Sequence, residues 1–217
     1  MSANQSHRHD PIPAETLADG LPRTLIYFPI IHTQADMGAM KESVARATLE
    51  KVGRVGLARK NAAIDQIWTE IEAAIGALAL SFDRVRLYQD GLPVCGREAE
   101  IVTELAQAGS RNHQLLLRLM AQGAVLMGTE EGDLLVQEYQ LARQSLTIRT
   151  PRAAGVLASR RALSQALLQR RDQFMAQRIN ETLKSGETGI LFLGMLHAVE
   201  RYLNADVKVI YPFHRPL

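Results

Sequence analysis

A single cysteine, Cys95, has no partner for an internal disulfide, which fits a reducing, cytoplasmic setting. No apolar run approaches the roughly 18 residues that a membrane span needs. The longest, residues 189–198, is about half of that. The opening residues carry no apolar block of the kind a secretory signal requires, so none is expected. Charge of one sign is also missing: 25 Lys and Arg face 23 Asp and Glu, for a net +2. Steering toward nucleic acid is therefore not implied, and neither a nucleic-acid nor a membrane partner is expected. No phosphate loop GxxxxGK[ST], no GxGxxG after a strand, no GxSxG elbow, no CxxC and no HExxH is present. These absences weigh against a nucleoside triphosphatase, a dinucleotide oxidoreductase and a common serine hydrolase. Aromatic residues make up only 5% of the 217 residues, and Ala and Leu are plentiful, so helices should outweigh strands.

What remains is a chain that is 47% apolar, enough for a sizeable core. Residues 1–22, polar and with three prolines, read as a flexible arm, and residues 23–217 as a single α/β domain. Strands are expected at 24–31, 84–88, 124–127, 189–193 and 207–211. The first and fourth are nearly continuous apolar runs, as strands buried on both faces should be. Pro29 lacks an N–H and is expected to mark a bulge or the end of regular pairing. Helical spacing runs over 37–80, with Gly53 and Gly56 suggesting a break, then over 98–108, 110–122, 133–144 and 153–184. Strands alternating with helices predict a mostly parallel central sheet of about five strands, helix-rich, with helices on both faces.

Ligands of open α/β sheets bind beyond the carboxyl ends of the strands, so the residues at each strand exit matter most. His32 and then Asp36 follow the first strand, Asp90 the second, Glu130 and Glu131 the third, His197 the fourth and His214 the fifth. Acids at such places also serve as turn formers and N-caps. Two histidines directly after the two most apolar strands are harder to explain that way. With one carboxylate they make a mixed nitrogen and oxygen set suited to zinc, manganese or iron(II), which would generate hydroxide near neutral pH. The expected roles are metal ligands for His32 and His197, carboxylate ligand or base for Glu130 with Asp90 as its rival, and substrate binding for Arg171 and Asp36. A metal-free route, with His197 and a carboxylate as the acid–base pair, stays open. So does a non-catalytic module that holds a small ligand. Cys95 lies in a loop with nothing beside it that activates a thiol. Arg160, Arg161, Arg170, Arg178 and Lys184 read as a solvated helix face with acidic partners rather than as a phosphate surface.

The stretch from Arg171 to Ile179, then Leu183, then Gly189 to His197 with its Gly194-x-x-His197, resembles the TraB/Tiki-like families, in the wider group that includes erythromycin esterase and the haem-binding ChaN proteins. An arginine opening a helical segment, an apolar strand and Gly-x-x-His recur there. The early Gly-x-x-His of that group is matched by Pro29-Ile-Ile-His32, with proline for glycine, and its early acidic motif has no clean counterpart. The resemblance implies an α/β fold with its site at the sheet's carboxyl edge, acting as a metal-dependent peptidase, an ester hydrolase or a haem handler. From it comes the expectation of a metal-dependent hydrolase of peptide or ester bonds with a divalent metal cofactor (Zn, Mn or Fe) and a small-molecule or peptide substrate. Long Ala- and Leu-rich helices point to a homodimer.

Overall fold

The computed structural model describes residues 21–31, 41–147 and 154–213. Five strands form one parallel sheet: β1 (Arg23–Ile30), β2 (Val85–Gln89), β3 (Val125–Met127), β4 (Thr188–Gly194) and β5 (Val207–Ile210). Their order across the sheet is β3-β2-β4-β1-β5. The helices are α1 (Lys41–Ala77), α2 (Glu98–Gln107), α3 (Arg111–Ala121), α4 (Gly132–Thr147) and α5 (Ala154–Thr182), with 3-10 turns at Phe82–Arg84 and Val199–Tyr202. Among the described residues no helix is long and apolar enough to cross a membrane.

Alternation along β1 explains the two layers. Ile26, Phe28 and Ile30 point to one face and pack with Ile64, Trp68, Ile71 and Ile75 of α1, Val102 of α2, and Leu115, Leu116 and Leu119 of α3. Leu25 and Tyr27 point to the other and pack with Met175, Ala176 and Ile179 of α5. Successive side chains of a strand alternate between faces, so an unbroken apolar run fills both layers at once. β4 is treated alike: Ile190 and Phe192 join the first cluster, Leu191 and Leu193 the second.

Pro29 is a correction to the sequence reading. It lies inside β1, in regular register opposite Leu193. On the other flank, β5 pairs with β1 only as far as Ile26. The upper part of β1 thus has no β5 ladder beside it, and a residue without an N–H loses nothing there.

The connection leaving β1 passes to the β2 side, and that leaving β4 passes to the β5 side. β1 and β4 are neighbours, so their carboxyl ends form the switch point at which sheets of this kind open a crevice. α1 and α5 are both longer than the sheet is tall. In the lower part of α1 one face is buried through Ile64, Trp68, Ile71 and Ile75, whereas residues 58–63 are all exposed. At about 1.5 Å per residue, the upper half of α1 rises well beyond the carboxyl edge. Within it Gly53 breaks the helix, with φ 68° and ψ 176°, a conformation open to glycine alone.

Candidate active site

The crevice at the switch point is a cleft of about 530 Å³. Its polar lining is Asp90, Glu138, Arg171 and His197, and its apolar lining includes Ile31, Leu135, Tyr139, Leu168, Met195 and Leu196. A larger hollow of about 720 Å³ lies at the opposite, amino edge. It contains the Arg23–Asp206 ion pair but no histidine, whereas the smaller one brings His197 together with Asp90 and Arg171.

Each polar group is placed by a different element. β2 runs out through Gln89 into Asp90, whose backbone N–H donates to the Phe192 carbonyl at 2.9 Å. Gly91 then adopts φ 77°, which turns the chain back across the sheet edge. The β3–α4 loop is stitched to this turn: Thr129 and Glu130 both donate backbone N–H groups to the Leu92 carbonyl, and Val94 donates to the Glu130 carbonyl. Gly128 makes that approach feasible, because a Cβ there would lie 2.8 Å from Val94 Cα and 3.0 Å from the Pro93 oxygen. α5 supplies Arg171 and Asp172, and the turn after β4 supplies His197.

These groups form one buried network. Arg171 grips Glu130 with two hydrogen bonds of 2.6 Å, from Nε to Oε2 and from Nη2 to Oε1. Its Nη2 also donates to Asp90 Oδ1 at 2.8 Å, and its Nη1 lies 2.6 Å from Glu138 Oε1. Gly91 N–H donates to Glu130 Oε1 at 2.7 Å, and Gly194 N–H to Asp90 Oδ2 at 2.9 Å. His197 Nδ1 lies 2.5 Å from Asp172 Oδ1, and Ala198 N–H donates to Asp172 Oδ2 at 2.9 Å. The other ring nitrogen, His197 Nε2, is 3.7 Å from Asp90 Oδ2. Asp90, Glu130, Arg171, Asp172 and His197 are all buried, while Glu138 is half exposed.

Burial pushes the Glu130 carboxyl above its ordinary range, against the opposing pull of Arg171. Burial likewise works against the Arg171 charge, but Glu130, Asp90 and Glu138 outweigh it and hold the guanidinium charged more firmly than usual. A carboxylate only accepts hydrogen bonds, so the Nδ1 that meets Asp172 is the donor. Nε2 then faces Asp90 and the cleft.

The structure therefore brings together four of the residues named from the sequence: Asp90, Glu130, Arg171 and His197. His32, Asp36 and His214 lie outside the described residues. Cys95 is exposed on the β2–α2 loop, where its N–H donates to Glu98. Two participants escaped the sequence reading. Glu138 gives no sign in sequence, being one acid on a mostly exposed helix. Asp172 does give one: aspartate is a poor residue for a helix interior, yet it occupies the middle of α5. Among the described residues no three His, Cys, Asp or Glu side chains gather as a metal site. Among the described residues His197 Nε2 and Asp90 Oδ2 offer two donors, and His32, the other expected ligand, lies outside those residues.

No protein-family model matches the chain, and no curated protein or solved structure matches it either.

Proposed function

We propose that the cleft hydrolyses an ester or peptide bond, with His197 as the general base and acid. The observation that carries this is the His197 ring itself: pinned by Asp172 through Nδ1, buried, and directing Nε2 toward Asp90 on the floor of the cleft. A water above Nε2 gives up a proton to it as its oxygen attacks the substrate carbonyl carbon. The same nitrogen then passes that proton to the leaving oxygen or nitrogen as the carbon–heteroatom bond breaks. Asp172 is a positioning residue that keeps the ring in the productive tautomer and orientation. Arg171, fully engaged by carboxylates, acts in this reading as the clamp that fixes Asp90 and Glu130. The resemblance to the TraB/Tiki-like group supports hydrolysis of an ester or peptide bond, and its metal-dependent members make a divalent metal the natural variable to control.

The test is a screen of ester and peptide substrates with wild type, His197→Ala and Asp172→Asn. Thermal melting confirms that the variants fold, and elemental mass spectrometry reports metal content. The expected result is hydrolysis that falls roughly hundredfold or more in His197→Ala, with a smaller loss of kcat in Asp172→Asn. A folded His197→Ala enzyme of full activity would overturn the assignment. Metal present in wild type and lost in His197→Ala together with His32→Ala would make His197 a ligand rather than the base.

A further inference from the structure

From Tyr139 to Arg170 the chain has six arginines and no acidic residue. The described part of this stretch forms the end of α4 and the first half of α5, which pair as a hairpin: Arg170 meets Gln137 and Arg160 meets Gln144. Both contacts are to glutamines, so among the described residues these two arginines do not find the acidic partners expected of them. The hairpin rises from the level of Arg171, beyond the same sheet edge as the upper half of α1. That half, residues 41–60, carries six basic and two acidic residues.

These arms are also where the surface is apolar. Leu49, Val52 and Val55 on α1, and Val156, Leu157 and Leu163 on α5, are exposed by 39% to 69%. From Gly155 to Ala166 every residue of α5 except Arg160 is exposed. A helix owes most of its stability to packing of an apolar face, and among the described residues none covers these.

We propose that the two arms dock the molecule on an anionic lipid surface, with the cleft facing the bilayer. Basic residues interleaved with exposed leucine and valine are the pattern of a helix seated at the headgroup boundary. Two alternatives fit less well. A second copy packed by a two-fold axis on the same arms would set basic residues against basic residues. Nucleic acid has no use for the exposed aliphatic side chains. The expectation of no membrane partner rested on the lack of a spanning run, which a peripheral contact does not require.

The experiment is co-sedimentation of the full chain with vesicles of phosphatidylcholine alone and of phosphatidylcholine mixed with phosphatidylglycerol. Binding is expected only to the anionic vesicles, and it weakens as salt is raised. Arg160→Glu with Arg161→Glu is expected to weaken it roughly tenfold or more. Val156→Gln with Leu157→Gln is expected to weaken it at every salt concentration. All four positions avoid the buried core, and melting curves confirm the fold. No sedimentation, equal sedimentation with neutral vesicles, or variants that bind like wild type would each overturn the proposal. So would a dimer in analytical ultracentrifugation that dissociates in the Val156→Gln, Leu157→Gln variant, or binding of RNA in place of vesicles. Sedimentation needs no turnover, so its failure is distinguishable from a failure of the hydrolytic reading.

Discussion

Arg171 brings a single positive charge into contact with three carboxylates, two of them buried with it. Removing one side of such a buried arrangement leaves uncompensated charge. Arg171→Ala is therefore expected to destabilise the fold by about 3–5 kcal/mol, read by chemical denaturation. Arg171→Met with Glu130→Leu, which removes both partners, should recover part of that loss; no recovery would mean that the pair is not the source of the cost. At His197, the base of the proposed reaction, the expected outcome is kinetic instead. Asp172→Asn should lower kcat with little change in KM, because Asp172 holds a ring and not a substrate. Strand exits made Asp90, Glu130 and His197 legible from sequence, since in a parallel sheet every strand delivers its next residue to the same edge. Their roles were not legible. Whether an acid is a free base or an arginine's partner depends on where α5 lies, and no local pattern encodes that.

Among the elements, α1 divides into two halves that should behave differently. Trp68 is fully buried between α1 and the sheet, whereas Val55 is 69% exposed. Trp68→Ala should cost about 3–5 kcal/mol and Val55→Ala less than about 0.5 kcal/mol. Hydrogen exchange should be faster above Gly53 than below Ile64; equal protection along the helix would refute the division. The two loops at the site form a second unit. Gly128→Ala would press a methyl into the Val94 backbone, and about 1–3 kcal/mol of destabilisation is expected, with loss of activity as the Glu130 loop shifts. The element boundaries themselves were readable because period and punctuation agree in this chain. β4 occupies Thr188–Gly194 against the 189–193 expected, and α3 occupies Arg111–Ala121 against 110–122. Pro29 was misread because its tolerance is decided by how far β5 extends, a long-range fact. The order of the strands was hidden for the same reason: β4 inserts between β1 and β2 after more than half the chain has passed.

For the whole molecule, stability should fall in acid through carboxylates away from the cleft. Burial opposes ionisation of Glu187, but Arg86 and the Lys184 N–H outweigh it and hold the carboxyl below its ordinary value of 4.5. The Arg111 hydrogen bond does the same for Glu72. A carboxyl lowered in the folded state adds stability above the unfolded value and loses it as pH falls through the folded one. Melting temperature should accordingly drop below about pH 4.5, and Glu187→Gln should flatten that decline; an unchanged slope would rule Glu187 out as a contributor. Glu130 works with the opposite sign. Its carboxyl is raised by burial, so its contribution is largest in acid and is lost as pH rises through the raised value. One further consequence concerns α5, a single helix of 29 residues. Its first 17 residues stand above the sheet, and Arg171 and Asp172 follow at the sheet's edge. This makes the helix a lever whose fulcrum is the site. A membrane contact at the upper end, as proposed, would act on a rod whose pivot residues touch the carboxylate clamp and the imidazole ring.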